Sequence, residues 1–423
     1  MFGSFSILTD KEPKSIDAME LAEHELDSIK NYLNSARVVC LSGDDQSKIA
    51  SIAVFLLNSG HKVILLPEGV DKERSMDPHV SCNLAIHCNQ EGTSCELQTN
   101  SLDIHKYIWD LVYFTSGSTG ISRPIGVSKD QLMETVKQYQ IIYSVTANSV
   151  IYTTLKSTYN FTFVAGILLA AYANATFCYF ADEQELIEYV EKSAYLFDRQ
   201  VMLANPIVIQ EMYNSGRSFN PKLLVDSGGA PLSTTAIQLF RERIGDLREG
   251  YGLTETCSLT HFDYEGTLKS LGTVGTRMPF VEHWSELTND KPLIYLKSTN
   301  IGLDLSVDSN AQQFPLTICT GDIGKIDSND QLRILGRSDD YAVNGFWPRD
   351  TLDVIGELLG FRCALVRHPS NKEVIVKLWG YTDNETIEHI GSVLQEKLGI
   401  SQEQFIITCV NDGMLHSKKI PRN

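Results

Sequence analysis

The run Thr115-Ser116-Gly117-Ser118-Thr119-Gly120 puts two glycines and four hydroxyl side chains into six residues. Glycine lets the backbone approach a ligand closely and lets several N–H groups point into one space. The hydroxyls add donors, so the loop suits a polyphosphate. No Gly-Lys-Ser/Thr closes it, which separates it from a Walker A loop, and a flexible surface loop is the plain alternative. Three further clusters follow along the chain. In Asp226-Ser227-Gly228-Gly229-Ala230-Pro231-Leu232-Ser233, small residues would let a flat base lie against the backbone. Read plainly, the same run is a strand-to-helix turn with Ser233 as N-cap. Glu249-Gly250-Tyr251-Gly252-Leu253-Thr254-Glu255-Thr256 offers an aromatic face, close backbone and carboxylates. Glu255 suits Mg²⁺, a hard cation that takes oxygen ligands and bridges to phosphate; alone, a glutamate is more often a solvated side chain. Thr320-Gly321-Asp322-Ile323-Gly324 and Leu335-Gly336-Arg337-Ser338-Asp339-Asp340 set a carboxylate and a guanidinium on tight turns. The two can clasp a pair of ribose hydroxyls, or simply form a surface ion pair.

These clusters need a scaffold. Residues 36–43 form a β-rich run, residues 44–58 show helical spacing of Ile49, Ile52, Ala53, Leu56 and Leu57, and residues 62–67 are the next strand. That is a βαβ unit, and the connection implies a parallel sheet. Ile108 to Phe114 reads as a strand feeding the first loop, and Lys129 to Tyr143 as a helix. Strands are expected at residues 200–204 and 222–225, and a helix over 234–243. Residues 68–105 are polar and poorly periodic and receive no assignment. The apolar stretch Phe161 to Phe180 carries Thr162, Asn174 and Thr176 without basic flanks, so a buried helix and strand are expected rather than a membrane span. Beyond Gly336-Arg337, strands at 362–366 and 373–378 and a helix over 385–398 make a small α+β unit after a large α/β one.

The chain has 423 residues, enough for two or three packed units. Its formal charge of −17 argues against nucleic acid as a partner. There are nine cysteines, an odd number with no C-x-x-C pair, which reads as reduced, mostly buried thiols in a cytoplasmic protein. Cys82, Cys88 and Cys95 with His87 fit no closed zinc site. Nothing at the N-terminus has the form of a secretory signal.

Taken in order, the clusters resemble the adenylate-forming superfamily of acyl- and aryl-CoA synthetases, adenylation domains and luciferase. The likeness covers about residues 36 to 422, because His416-Ser417-Lys418-Lys419-Ile420-Pro421-Arg422 looks like the family's C-terminal lysine motif. The resemblance implies a large α/β domain of stacked sheets and helices, residues 1–336, and a small mobile α+β domain, residues 337–423. It implies ATP and Mg²⁺ as cofactors and a small carboxylic acid as substrate. Thr115 to Gly120 would hold the pyrophosphate part of ATP. Gly229, Ala230 and Pro231 would line the adenine pocket beside Gly252, with Tyr251 on the base. Thr254 would meet the α-phosphate, Glu255 the metal, and Asp322 and Arg337 the ribose. Lys419 matches the catalytic lysine. Asp339 matches the hinge about which the small domain moves to admit a thiol, from CoA or from the phosphopantetheine of a carrier protein.

The sequence departs from the family pattern in several places. It is shorter at the N-terminal side and before Tyr113. The segment Tyr341 to Phe346 is one residue short and lacks a basic residue, which bears on the thiol half-reaction. Lys418 replaces a glycine, and a shifted register would make it the working lysine. The run matching the family's substrate position is Ser157-Thr158-Tyr159-Asn160-Phe161, and the resemblance adds Gly228 to the substrate-binding residues. Amino-acid activators carry an aspartate at the position of Asn160, and a neutral amide gives an ammonium no charge partner. An aryl or simple acyl acid is therefore favoured, with Tyr159, Phe161 and Phe163 shaping an apolar pocket or serving as ordinary core aromatics. Three outcomes stand at this point: an acid–thiol ligase, an enzyme that stops at the adenylate or transfers to an amine, and a catalytically weak nucleotide- or acyl-binding homologue.

Overall fold

The computed structural model describes residues 2–9, 12–67, 81–98, 107–115, 122–308, 311–380 and 383–410. Two large sheets face each other across a layer of helices. One has nine strands, in the order Thr276–Arg277, His261–Phe262, Asp246–Tyr251, Leu223–Ser227, Arg199–Ala204, Ser149–Thr153, Thr176–Tyr179, Ser6–Thr9 and Glu12–Asp17. Its six central strands, from Asp246–Tyr251 to Ser6–Thr9, run parallel. The other has seven, in the order Leu303–Asp304, Pro124–Val127, Leu111–Phe114, Lys62–Leu65, Val38–Gly43, Leu84–Asn89 and Gly92–Leu97. The expected βαβ unit is Val38–Gly43, helix Gln46–Asn58 and Lys62–Leu65, with the strands parallel. One continuous core joins Leu41, Val63 and Leu111 of the seven-stranded sheet to Ile151, Phe177 and Val201 of the nine-stranded one. The α/β class read from the sequence therefore holds.

Local chemistry sets the element ends. Helix Lys129–Tyr143 starts at a capping box in which Ser128 and Gln131 satisfy each other's backbone N–H. Ser233 caps helix Thr234–Arg243 by accepting from Ala236. The apolar stretch after Phe161 is buried as expected, as a π-helical Thr162–Leu168, helix Leu169–Ala173 and strand Thr176–Tyr179. Among the described residues no helix is long and apolar enough to cross a membrane. Part of the unassigned 68–105 segment is an antiparallel hairpin, Leu84–Asn89 with Gly92–Leu97. Its second strand is an edge that leaves much of its length to solvent, so no apolar alternation marks it. All nine cysteines are free. Six are buried, while Cys319, on a solvent-facing sheet surface, and Cys409, on an edge strand, are exposed. The Cys82, Cys88, Cys95 and His87 set does not converge on a common point; His87 Nδ1 instead lies 2.6 Å from Ser42 Oγ.

A four-stranded antiparallel sheet, Val281–Thr288, Lys291–Ser298, Thr317–Ile326 and Leu332–Arg337, follows the nine-stranded one. Beyond it lies a small α+β unit with strands Ala364–Ser370, Glu373–Trp379 and Phe405–Val410 and helices Pro348–Leu359 and Asn384–Leu398. Its first helix is absent from the sequence reading. That helix docks on the large body: Asp353 Oδ1 accepts the Thr234 N–H (2.8 Å), and Arg349 reaches Glu249 at 3.5 Å. Phe361 stacks on Tyr213 with centroids 4.3 Å apart.

Candidate functional site

Strands Thr317–Ile326 and Leu332–Arg337 pair so that Asp322 and Arg337 lie directly opposite. Arg337 Nη1 donates to Asp322 Oδ1 (2.7 Å), and Tyr251 Oη donates to Oδ2 (2.6 Å). Asp322 is buried, and burial together with its negative charge holds the Tyr251 phenol well above its ordinary range. For Arg337, burial works against the charge, but Asp322 more than offsets it and the guanidinium is held above its usual value. A carboxylate offers about four lone-pair sites, so Asp322 keeps acceptor capacity for further hydroxyls. The surface ion pair considered from the sequence is thus a triad in which half-buried Tyr251 and Arg337 close on a buried carboxylate.

Tyr251 ends strand Asp246–Tyr251 and opens the loop that carries Gly252, Thr254 and Glu255. Gly252 is required there, because a Cβ would sit 1.4 Å from the Ser258 carbonyl oxygen. Thr254 begins a single 3₁₀ turn, Thr254–Thr256. Glu249, the first carboxylate of that run, is buried and turned away toward Arg349. Behind the loop, Thr260 Oγ donates to the Tyr251 carbonyl (3.1 Å), and His261, His283 and Asp330 continue in a hydrogen-bonded row at 2.8 Å steps. Gly228, Gly229, Ala230 and Pro231 connect strand Leu223–Ser227 to helix Thr234–Arg243; Gly229 has φ +91°, which favours glycine.

Thr115 closes one side of the hydroxyl-rich loop and Arg123 the other. Their backbones pair (Thr115 N–H to Arg123 O, 2.9 Å), and Thr115 Oγ accepts the Arg123 N–H at 3.0 Å. Ser116, Gly117, Ser118, Thr119 and Gly120 lie outside the described residues, as does Lys419. Arg123 is the residue the sequence reading missed. Its guanidinium pairs with Glu255 and with Asp304 Oδ2 (2.5 Å). The available signal was the first basic side chain after Gly120. The Glu255 and Asp304 carboxylates remain partly exposed, and their oxygens are the donor type a hard divalent cation prefers.

On the opposite side of the loop, Asn160 Nδ2 donates to the Leu253 carbonyl (3.3 Å). The Phe161 ring lies over Gly228, where a Cβ would meet it at 2.9 Å. Tyr159 is largely enclosed, and burial holds its phenol above the ordinary value. Phe163 is fully buried and meets Tyr113 edge to face, so of the aromatics here it is a core residue. Asp339 stands apart from these groups: it is exposed and paired with Arg367 at 2.8 Å. Its neighbour Asp340 is buried and accepts from Arg337 N–H, His368 N–H and Arg367 Nε.

A family model described as AMP-binding enzyme matches residues 34–283. A marinolic acid–CoA ligase of Pseudoalteromonas sp. (strain SANK 73390) is 31% identical over 137 residues, 28% of this chain. That match spans 20% of the relative's length. Among solved structures, the anthranilate CoA ligase AuaEII in complex with anthranoyl-AMP superposes with a TM-score of 0.77 at 13% identity, covering 99% of this chain and 92% of that one. ATP-bound MatB from Rhodopseudomonas palustris gives 0.75 at 16% identity, covering 96% and 92%.

Proposed function

The chain belongs to the AMP-binding enzyme family, and from that premise we propose that it activates a carboxylic acid with ATP to an acyl-adenylate, releasing pyrophosphate, and passes the acyl group to a thiol. The observation that carries this reading is the Tyr251–Asp322–Arg337 triad, centred on a buried carboxylate, beside a loop whose Glu255 meets Arg123. Asp322 and Arg337 take the ribose hydroxyls, and Tyr251 packs against adenine with Gly229, Ala230, Pro231 and Gly252. Thr115 to Gly120 and Arg123 grip the phosphates. Thr254 donates to the α-phosphate. Glu255 would supply an oxygen ligand to Mg²⁺, which when bound would offset charge on the phosphate oxygens.

The acid carboxylate attacks the α-phosphorus in line and pyrophosphate leaves. Two anions meet in that step, so a fixed cation must face the developing charge. Lys419 is assigned that role, carried by a C-terminal unit that begins at residue 337 and turns about Asp339. The exposure of Asp339, beside an anchored Asp340, supports a pivot there. Asn160 gives no counter-charge to an ammonium, which supports an aryl or acyl acid held between Tyr159, Asn160 and Gly228. The acceptor thiol is assigned to CoA or a carrier protein's phosphopantetheine, and the location to the cytoplasm.

The test is acid-dependent exchange of labelled pyrophosphate into ATP across a panel of aryl, acyl and amino acids. Exchange with an aryl or acyl acid, reduced at least about 100-fold in Lys419→Ala, is the expected result. Binding of Mg·ATP without exchange for any acid would defeat the enzyme reading.

A further inference from the structure

Helix Lys129–Tyr143 buries a stripe of polar side chains, Gln131, Thr135, Tyr139 and Tyr143, each four residues after the last. A spacing of four keeps them on one helical face. Apolar residues would serve a mere core helix better, because each buried polar group must find a partner. Every one of the four does: three bond to loops of the candidate site, and Tyr143 to Asp226 on strand Leu223–Ser227. Gln131 Nε2 donates to the Thr299 and Ile301 carbonyls, both at 2.9 Å. Thr135 Oγ accepts from Asn300 Nδ2 (2.9 Å). Those three residues lead into Gly302, whose N–H donates to the Glu255 carbonyl (2.8 Å), and then to Asp304, the partner of Arg123. Tyr139 Oη lies 2.9 Å from Ser258 Oγ, at the far end of the loop that Tyr251 opens. Tyr143 Oη donates to Asp226 Oδ2, and the Gly250 backbone faces the same carboxylate.

We propose that Tyr139, Tyr143 and Asp226 are positioning residues that hold the two ends of the 250–258 loop, so that Tyr251, Thr254 and Glu255 meet one nucleotide together. The inference rests on the nucleotide-site reading above. The helix begins only a few residues after Arg123, so the element that follows the phosphate loop also sets the height of the base and metal side. The rings of Tyr139 and Tyr143 pack 5.3 Å apart, which lets the hydroxyls be removed without losing the rings.

The test is a titration of the full chain with Mg·ATP, giving affinity and binding stoichiometry together. A merely structural residue lowers the fraction of competent protein, and so the stoichiometry, but leaves the affinity of the folded remainder alone. Misplacement of the loop lowers the affinity itself. Tyr139→Phe is expected to weaken Mg·ATP about tenfold at full stoichiometry. In the double variant Tyr143→Phe with Asp226→Leu, both polar partners leave together, so stability is retained while affinity stays about tenfold down. Wild-type affinity in Tyr139→Phe would overturn the proposal, as would a double variant that folds and binds normally. Failure of the wild type itself to bind Mg·ATP would overturn the nucleotide reading together with this one.

Discussion

Asp322 meets its partners inside paired strands, whereas Glu255 meets Arg123 on a rim of loops. At the first place, Tyr251 and Arg337 converge from two different strands on the buried carboxylate of a third. At the second, Arg123 is about half exposed and shared between two acids. A buried carboxylate bonded through both oxygens holds its geometry without a ligand. An exposed ion pair contributes little and exchanges partners readily. On the proposed reading, the ribose end is therefore built in advance, and the metal end rearranges when phosphate competes for Arg123. One site thus combines a fixed socket with an adjustable charge cluster.

The largest expected effect breaks the adjustable end. Glu255→Gln should lower pyrophosphate exchange by about 100-fold to 1,000-fold, yet change stability in denaturant by no more than about 0.5 kcal/mol, because half-exposed Arg123 keeps Asp304 as a partner. A large loss of stability would contradict the contrast. Asp322→Ala should do the reverse in part. It strands Arg337 and the Tyr251 hydroxyl, so urea unfolding should show a loss of about 2–3 kcal/mol, along with weaker Mg·ATP binding.

A third effect comes from beneath the loop. Burial raises the Asp226 carboxyl from an ordinary 3.8 to about 7, only partly offset by the Tyr143 hydroxyl and Gly250. With the folded value above the unfolded one, this group's contribution to stability is fully present below about pH 4 and is lost as pH rises to 7. Compared with Asp226→Asn, wild type should lose on the order of 1 kcal/mol per pH unit between pH 4 and 7. A constant difference between the two across that range would show that Asp226 is ionised throughout. The smallest effect concerns Arg123→Gln, whose cost to stability, about 0.5 kcal/mol or less, should disappear at about 0.5 M salt as the charges are screened. The cost of Asp322→Ala should persist there.

Much of the scaffold was legible because local rules agreed with tertiary burial. The helix read over Lys129 to Tyr143 has those same ends, since Ser128 and Gln131 cap it. The parallel βαβ start was written in an apolar run, a periodic helix and a glycine stop. Helix Pro348–Leu359 escaped notice although Leu352, Ile355 and Leu359 mark one face. Pro348 and Gly356 obscured the period, and its polar face is taken up by Arg349 and Asp353 contacts to the large body rather than by solvent. At the site, residue types named Asp322, Arg337 and Tyr251, but only strand register brings them to one carboxylate. Arg123 and Asp304 lie far apart in sequence and meet through pairing of Pro124–Val127 with Leu303–Asp304. The acid in the apolar run Leu223-Leu224-Val225-Asp226 was a visible anomaly whose partner, Tyr143, no spacing rule supplies.

The central claim is that the acid itself attacks the α-phosphorus of a nucleotide held in the Asp322 socket. An acid that supports exchange, labelled with ¹⁸O in its carboxylate, gives the most direct test when turned over with ATP, Mg²⁺ and a thiol acceptor. The bond formed links a carboxylate oxygen to the α-phosphorus, so the AMP released should carry one ¹⁸O. Unlabelled AMP, or ADP in its place, would contradict the account.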